Sequence, residues 1–274
     1  MRTTSHQKEP TSMVLNKKRR KSGRGLISGK ITAGMQLGYR KFTRPHLSYR
    51  LGLLWVVLDP LLRAIVFTFL MIVIRGSASP ESLVIGVFTI IALNNSITSS
   101  MDIRLSEEPF PLSHTPSLAI IISKITSDIL TAVFLALSGS VILVLFAKMP
   151  LSILLVLTFS CSALSLIGSG IGLLFSPFVT MVKDLSKVMS YFLLLSFFLQ
   201  CVLYSYQETE GLHREVLSWL PHTILVELAR TSSPGHNYPF SLEHAIAVLC
   251  FWLIPMFYGF FRFDKYRWRS TTWS

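Results

Sequence analysis

With 274 residues, of which 51% are hydrophobic and 15% charged, and a mean hydropathy of +0.53, the chain lies far from the roughly one-quarter charged composition of a soluble domain and reads as an integral membrane protein. The net charge of +12 does not indicate nucleic acid, because residues 1–50 hold thirteen Lys and Arg against one acid, Glu9, in a block ahead of the first long apolar run. Cys161, Cys201 and Cys250 all fall in apolar runs and read as small packing residues rather than a redox or metal set.

Residues 1–30 combine Lys, Arg, Ser, Thr and Gly with few bulky apolar groups and predict a disordered cytoplasmic tail. Its KKRRK run, Lys17–Lys21, reads as a topology determinant drawn to anionic head groups. The stretch GRGLISGKIT, Gly23–Thr32, approaches a phosphate-binding loop. It places Arg24 where the first glycine belongs and Ile31 where a hydroxyl should bind Mg²⁺, so no nucleotide site is expected on this chain. No short apolar run with a small-residue cleavage site precedes Leu51, and the first span is expected to direct its own insertion. Residues 31–50 mix Tyr39, Phe42, Leu47 and Tyr49 with Arg40, Lys41, Arg44 and Arg50, which predicts an interfacial amphipathic helix interrupted at Pro45.

Six spans follow, at about 51–75, 83–101, 118–147, 151–175, 188–206 and 242–261, each near the roughly 20 residues needed to cross hydrocarbon. The fold class is therefore an all-α membrane protein of six transmembrane helices. Between the fifth and sixth spans, Val216–Ala229 is apolar but short and broken by Pro221, which predicts a re-entrant or interfacial helical segment. The basic N-terminal block and a second cluster, Arg262, Lys265, Arg267 and Arg269, place both termini in the cytoplasm, with 266–274 as a tail. Two cytoplasmic loops result, Asp102–Ser117 and Ser176–Lys187.

Charges inside the spans carry the most information. Eleven residues separate Arg63 from Arg75, about half the hydrocarbon thickness, so Arg63 belongs near the middle of the first span, where a lone charge costs at least about 2.5–3.5 kcal/mol. Asp59 lies one turn away on the same face, and Pro60 between them should bend the helix. Lys124 and Asp128 are also four apart, where Ile129–Ala147 can cross unaided, so that pair is expected at the cytoplasmic boundary, with Lys124 a second candidate neighbour of Asp59. The second span ends in NNSITSS, Asn94–Ser100, which suits either polar glue between helices or the lining of a hydrated path. Gly168 and Gly172 have the small-xxx-small spacing that lets two membrane helices approach closely. The fifth span carries Tyr191 and Gln200 among several aromatic residues, an aromatic face that would also suit sugar rings. His213, His222 and Glu227 share the outer segment and are the one candidate acid–base set, although no motif supplies a nucleophile.

Three stretches resemble the membrane subunits of polysaccharide-export ABC transporters, most closely the capsular polysaccharide branch. They are YRLGLLWVVLDPLL (Tyr49–Leu62), GSGIGLLFSPFVTMVKDLSKVM (Gly168–Met189) and LSWLPHTILVELAR (Leu217–Arg230), where Leu220 replaces the family's asparagine. The resemblance implies a permease domain over residues 31–265 that works as a homodimer in the cell inner membrane. It also implies a separate ABC ATPase subunit holding ATP and Mg²⁺, with no cofactor on this chain. The cargo implied is a lipid-linked capsular or other cell-surface polysaccharide, with membrane lipid as a contact and periplasmic or outer-membrane export proteins as further candidate partners. Carried over by position, Arg104, Pro109, Phe110, Pro111, Val182, Lys183 and Asp184 fall in ATPase-coupling loops, and Trp219, Pro221, His222, Glu227 and Arg230 in an outer gate segment. Asp59, Arg63, Asn94, Asn95, Tyr191 and Gln200 are expected to face the channel or bundle. The alternatives are the same fold with a lipid, drug or teichoic-type polymer as cargo, a membrane-embedded transferase using His213, His222 and Glu227, and an ion-coupled secondary transporter using Asp59 and Arg63.

Overall fold

In hydrocarbon no water can satisfy a backbone amide, so a chain of this composition must close its hydrogen bonds within helices. Among the described residues of the computed structural model, which are 29–43, 52, 54–75, 79–103, 117–182 and 184–270, every regular element is helical. The helices are α1 (residues 29–43), α2 (Leu54–Arg75), α3 (Pro80–Met101), α4 (Ser117–Phe146), α5 (Ser152–Met181), α6 (Asp184–Leu199), α7 (Gly211–Ser218), α8 (Pro221–Arg230) and α9 (Leu242–Ser270). A single 3₁₀ turn, Tyr206–Glu208, precedes α7. Of the expected disordered tail, residues 1–28 lie outside the described residues, while residues 29 and 30 already belong to α1.

Four of the described helices have stretches long and apolar enough to cross a membrane: Pro80–Met101, Leu118–Phe146, Ser152–Val179 and Leu242–Phe263. Helix α2 has 22 residues and runs through Pro60, which cannot donate to the Val56 carbonyl. Helix α6 has 16 residues, about 24 Å, and ends at Leu199 rather than continuing to residue 206. The physical reason lies in the carbonyls of Val202 and Tyr204, which turn away from a helical ladder to meet the Arg230 side chain. The expected loop Ser176–Lys187 is also much shorter. Helix α5 continues through Pro177 to Met181, and α6 begins at Asp184.

Helices α3 and α5 form the centre. Lipid tails are as apolar as leucine, so membrane helices associate through close packing rather than by escaping water. Glycine supplies that closeness here. A Cβ on Gly168 would lie 2.8 Å from the Leu93 carbonyl oxygen, and one on Gly172 would collide with the carbonyl of Ile97, so α5 lies directly against the α3 backbone. The core between them contains Ile90, Leu93, Leu157, Cys161 and Leu164. Helix α1 uses the same device on the start of α4. A Cβ on Gly34 would sit 2.9 Å from the Ala119 carbonyl oxygen, and one on Gly38 2.6 Å from that of Ser123. The expected interfacial segment is a helix over residues 29–43, docked along α4 with Phe42 edge-on to Phe134 at 6.2 Å, and its remainder, Pro45 included, lies outside the described residues.

Candidate functional site

The polar end of α3 divides between two faces. On one face Asn94, Asn95 and Thr98 join Asp59, Leu62, Arg63, Val66 and Phe67 of α2 and Ser190, Leu193, Leu194 and Phe197 of α6 around a cavity of about 560 Å³. Arg63 Nη2 lies 2.7 Å from Asp59 Oδ2, and the two side chains are 53% and 52% exposed. Helical geometry makes this pair, because a carboxylate and a guanidinium four residues apart lie on one face one turn from each other. At 1.5 Å per residue, Arg63 sits about 14 Å past the start of α2 and about 18 Å short of its end. The Asn94 amide donates to the Leu193 carbonyl across the α3–α6 seam at 3.3 Å. Beside this polar wall the rings of Phe67, Phe197 and Phe198 cluster, with Phe67 and Phe197 centred 4.6 Å apart. Tyr191 and Gln200 are not among the residues lining this cavity; Tyr191 is exposed elsewhere on α6, and Gln200 lies just beyond its end.

The other face of α3 packs against α4 and α5, with Ser99 exposed at its edge. Lys124 Nζ lies 2.6 Å from Asp128 Oδ1, and these side chains are only 8% and 7% exposed. Asp128 also accepts from Ser99 Oγ at 3.1 Å, Ser100 Oγ at 3.2 Å and Ser169 Oγ at 2.7 Å, while Lys124 donates to Ser99 Oγ at 2.6 Å. Ser96 and Ser165 join their hydroxyls at 2.7 Å just above. A buried ion pair persists only if its remaining lone pairs and protons find partners, and two neighbouring helices, α3 and α5, contribute them here. Lys124 is paired with Asp128 and not with Asp59. Along Asn94–Ser100, the hydroxyls of Ser96, Ser99 and Ser100 bond to neighbouring helices, while Asn94, Asn95 and Thr98 line the cavity.

The outer segment is built as two short helices. Leu220 caps α8 with extended backbone (φ −89°, ψ 132°) and no side-chain hydrogen bond, and Pro221 occupies a first-turn position where its missing N–H costs nothing. Helix α8 is almost wholly buried, with Glu227 and Arg230 at 0% and 1% exposure. Arg230 donates to Glu227 Oε1 at 2.9 Å, to the carbonyls of Tyr204 at 3.0 Å and Val202 at 3.1 Å, and to that of Ser82 on α3 at 3.3 Å. Glu227 in turn accepts from the Tyr206 backbone N–H at 3.0 Å and meets His236 Nε2 at 2.7 Å. This cluster ties α8, the 202–206 turn, α3 and the loop before α9 together. His222 is fully buried against Thr89 Oγ1 at 3.2 Å; burial, with Arg230 adding to it, pushes its imidazole down to about 3, so it is neutral at physiological pH. Trp219 is half-exposed at the end of α7 and accepts from Trp252 Nε1 at 2.8 Å through its carbonyl.

His213, His222 and Glu227 have separate partners. His213 meets the Tyr204 hydroxyl at 2.9 Å, His222 meets Thr89, and Glu227 is held by Arg230 and His236, so no acid–base set forms among them. Of the coupling-loop residues, Val182 is the exposed extended residue that ends α5 and Asp184 opens α6, whereas Arg104, Pro109, Phe110, Pro111 and Lys183 lie outside the described residues. Sequence reasoning missed His236, the hydrogen bond of Ser169 to Asp128 and the Gly34–Gly38 docking pair. The spacing of those two glycines, identical to that of Gly168 and Gly172, was the one signal that pointed to any of them.

Residues 36–232, most of the chain, match the family described as ABC-2 type transporter. No curated protein matches the chain. The matched region runs from within α1 to just past the end of α8 and contains both faces of α3. The helical architecture and this match agree: the chain is a multi-pass membrane protein of the ABC-2 type transporter family, a transporter component whose membership implies pairing with an ABC ATPase subunit.

Proposed function

We propose that the protein is the membrane subunit of an ATP-driven exporter that moves a lipid-linked capsular or other cell-surface polysaccharide outward across the cytoplasmic membrane. It does so as a homodimer with both termini in the cytoplasm. ATP and Mg²⁺ belong to the separate ATPase subunits, which dock on the loops after α3 and α5. Closure of the ATPases rocks those loops and alternately opens the path at its inner and outer ends, so that ATP binding shifts the population of two bundle arrangements.

The observation that carries this reading is the composition of the cavity between α2, α3 and α6. Amide and hydroxyl groups of Asn94, Asn95, Thr98 and Ser190 face the same space as the rings of Phe67 and Phe197. Hydroxyl-rich sugar rings need both kinds of surface, donors and acceptors at the rim and aromatic faces for their C–H sides. The test is reconstitution with the cognate ATPase in proteoliposomes. A lipid-linked glycan stimulates ATP hydrolysis and appears in the lumen, and removing the glycan from the lipid abolishes both effects. Equal stimulation by bare lipid or by a drug would overturn the polysaccharide reading and leave the family assignment standing.

A further inference from the structure

Among the described residues lining the α2–α3–α6 cavity, Asp59 and Arg63 are the only two with ionisable side chains. Two features set this pair apart from the one on α4. First, it is half-exposed, in the regime where ion pairs hold weakly, about 0–1 kcal/mol, and partners exchange readily. Second, Asp59 engages Nη2 of Arg63, and among the described residues no other partner surrounds the guanidinium, a group with five N–H donors arranged to grip a planar or tetrahedral oxyanion at two points. Lys124, by contrast, is closed in by Asp128 and Ser99. An arginine near the centre of a membrane helix that is neither caged nor needed for packing calls for a ligand. Asn94, Asn95 and Thr98 on the opposite wall offer further polar groups to the same ligand.

We infer that Arg63 is an oxyanion subsite of the cavity: the cargo's carboxylate or phosphate displaces the Asp59 carboxylate from the guanidinium as it enters, and Asp59 takes Arg63 back as it leaves. Asp59 is then a positioning residue that keeps the empty site neutral overall. The inference rests on the cargo reading above and adds the chemistry that the path selects. The oxyanion has two sources, an acidic sugar of the polymer or the phosphate joining it to its lipid.

The test uses the complex of this chain with its ATPase in nanodiscs of neutral phosphatidylcholine, with binding read by competition against a fluorescent lipid-linked glycan. Two probe pairs separate the sources: polyprenyl phosphate against polyprenol, and an oligoglucuronate against an oligoglucose of the same length. Wild type prefers the charged member of at least one pair by about tenfold, the value of one charge-assisted hydrogen bond, and the pair showing it names the source. Arg63→Gln abolishes the preference and Arg63→Lys keeps part of it. Asp59→Asn removes the internal competitor and tightens the charged probe severalfold, the sign that a merely structural pair would not give. Equal binding of charged and neutral probes overturns the inference alone. Equal weakening by Asp59→Asn and Arg63→Gln does the same, and if Arg63→Gln does not fold, the Asp59→Asn arm decides by itself. Failure of every probe and of the lipid-linked glycan to bind overturns the inference together with the cargo reading.

Discussion

Two ion pairs of the same spacing lie on neighbouring helices, and they do opposite things. Asp59–Arg63 on α2 and Lys124–Asp128 on α4 each join an acid and a base four residues apart, at 2.7 and 2.6 Å. The first is half-exposed on a cavity wall, and the second is buried and bonded to Ser99, Ser100 and Ser169 of the two adjoining helices. Geometry within the helix is therefore not what gives such a pair its role. Its surroundings do. A pair whose every oxygen is claimed by neighbouring helices fixes their register, and a pair with unclaimed donors facing open space is available to something that passes.

The largest effect should come from the buried pair. Asp128→Ala leaves the Lys124 charge without its carboxylate in the packed interior and should cost about 3–5 kcal/mol, seen as a large fall in the melting temperature of the detergent-purified protein. The double variant Lys124→Met with Asp128→Leu should recover most of that loss, since a matched apolar pair leaves no orphaned charge. A single Asp128→Ala as stable as wild type would erase the distinction between the pairs. Next in size is Gly172→Leu, which drives a side chain into the Ile97 carbonyl and should cost about 1–3 kcal/mol in the same assay.

The packed interior continues outward to His222 on Thr89. Its folded-state imidazole is depressed to about 3 from an ordinary value near 6.5, so the folded chain binds fewer protons than the unfolded one between those limits. Stability contributed by the neutral ring is present above pH 6.5 and is lost progressively as the pH falls toward 3. Melting temperatures across that range should therefore fall less steeply for His222→Gln than for wild type, and parallel slopes would show that this ring does not titrate on unfolding. The smallest stability effect belongs to Asp59→Asn, within about 1 kcal/mol, because a half-exposed pair contributes little to folding. Its consequence should appear in glycan-stimulated ATP hydrolysis rather than in melting.

The contrast between the pairs was only half legible in the sequence. Arg63 could be placed near mid-helix by counting residues, and its i,i+4 carboxylate followed from helical periodicity. Lys124–Asp128 showed the same spacing, but nothing in a single sequence says that Ser99, Ser100 and Ser169, 25 or more residues away, converge on one carboxylate. Gly168–Gly172 was readable as a packing motif because its mechanism is local to one helix face. The premature end of α6 was not, since residues 200–206 are apolar enough to continue a span. Their carbonyls are captured by Arg230, a residue 24 or more positions later whose burial no periodicity announces.

Transport through the cavity requires α3 to have a watery face and a packed one. With Cys161, Cys201 and Cys250 replaced, single cysteines at Asn95 and Ser100 can be exposed to a water-soluble thiol reagent in the assembled transporter. A thiol reacts only where water lets it ionise, so a lipid-facing position stays as silent as a packed one. Asn95→Cys should label rapidly and be protected by a lipid-linked glycan, while Ser100→Cys, on the Asp128 side, should resist. Equal labelling of the two positions, or labelling of Ser100→Cys alone, would contradict the cavity as the path of transport.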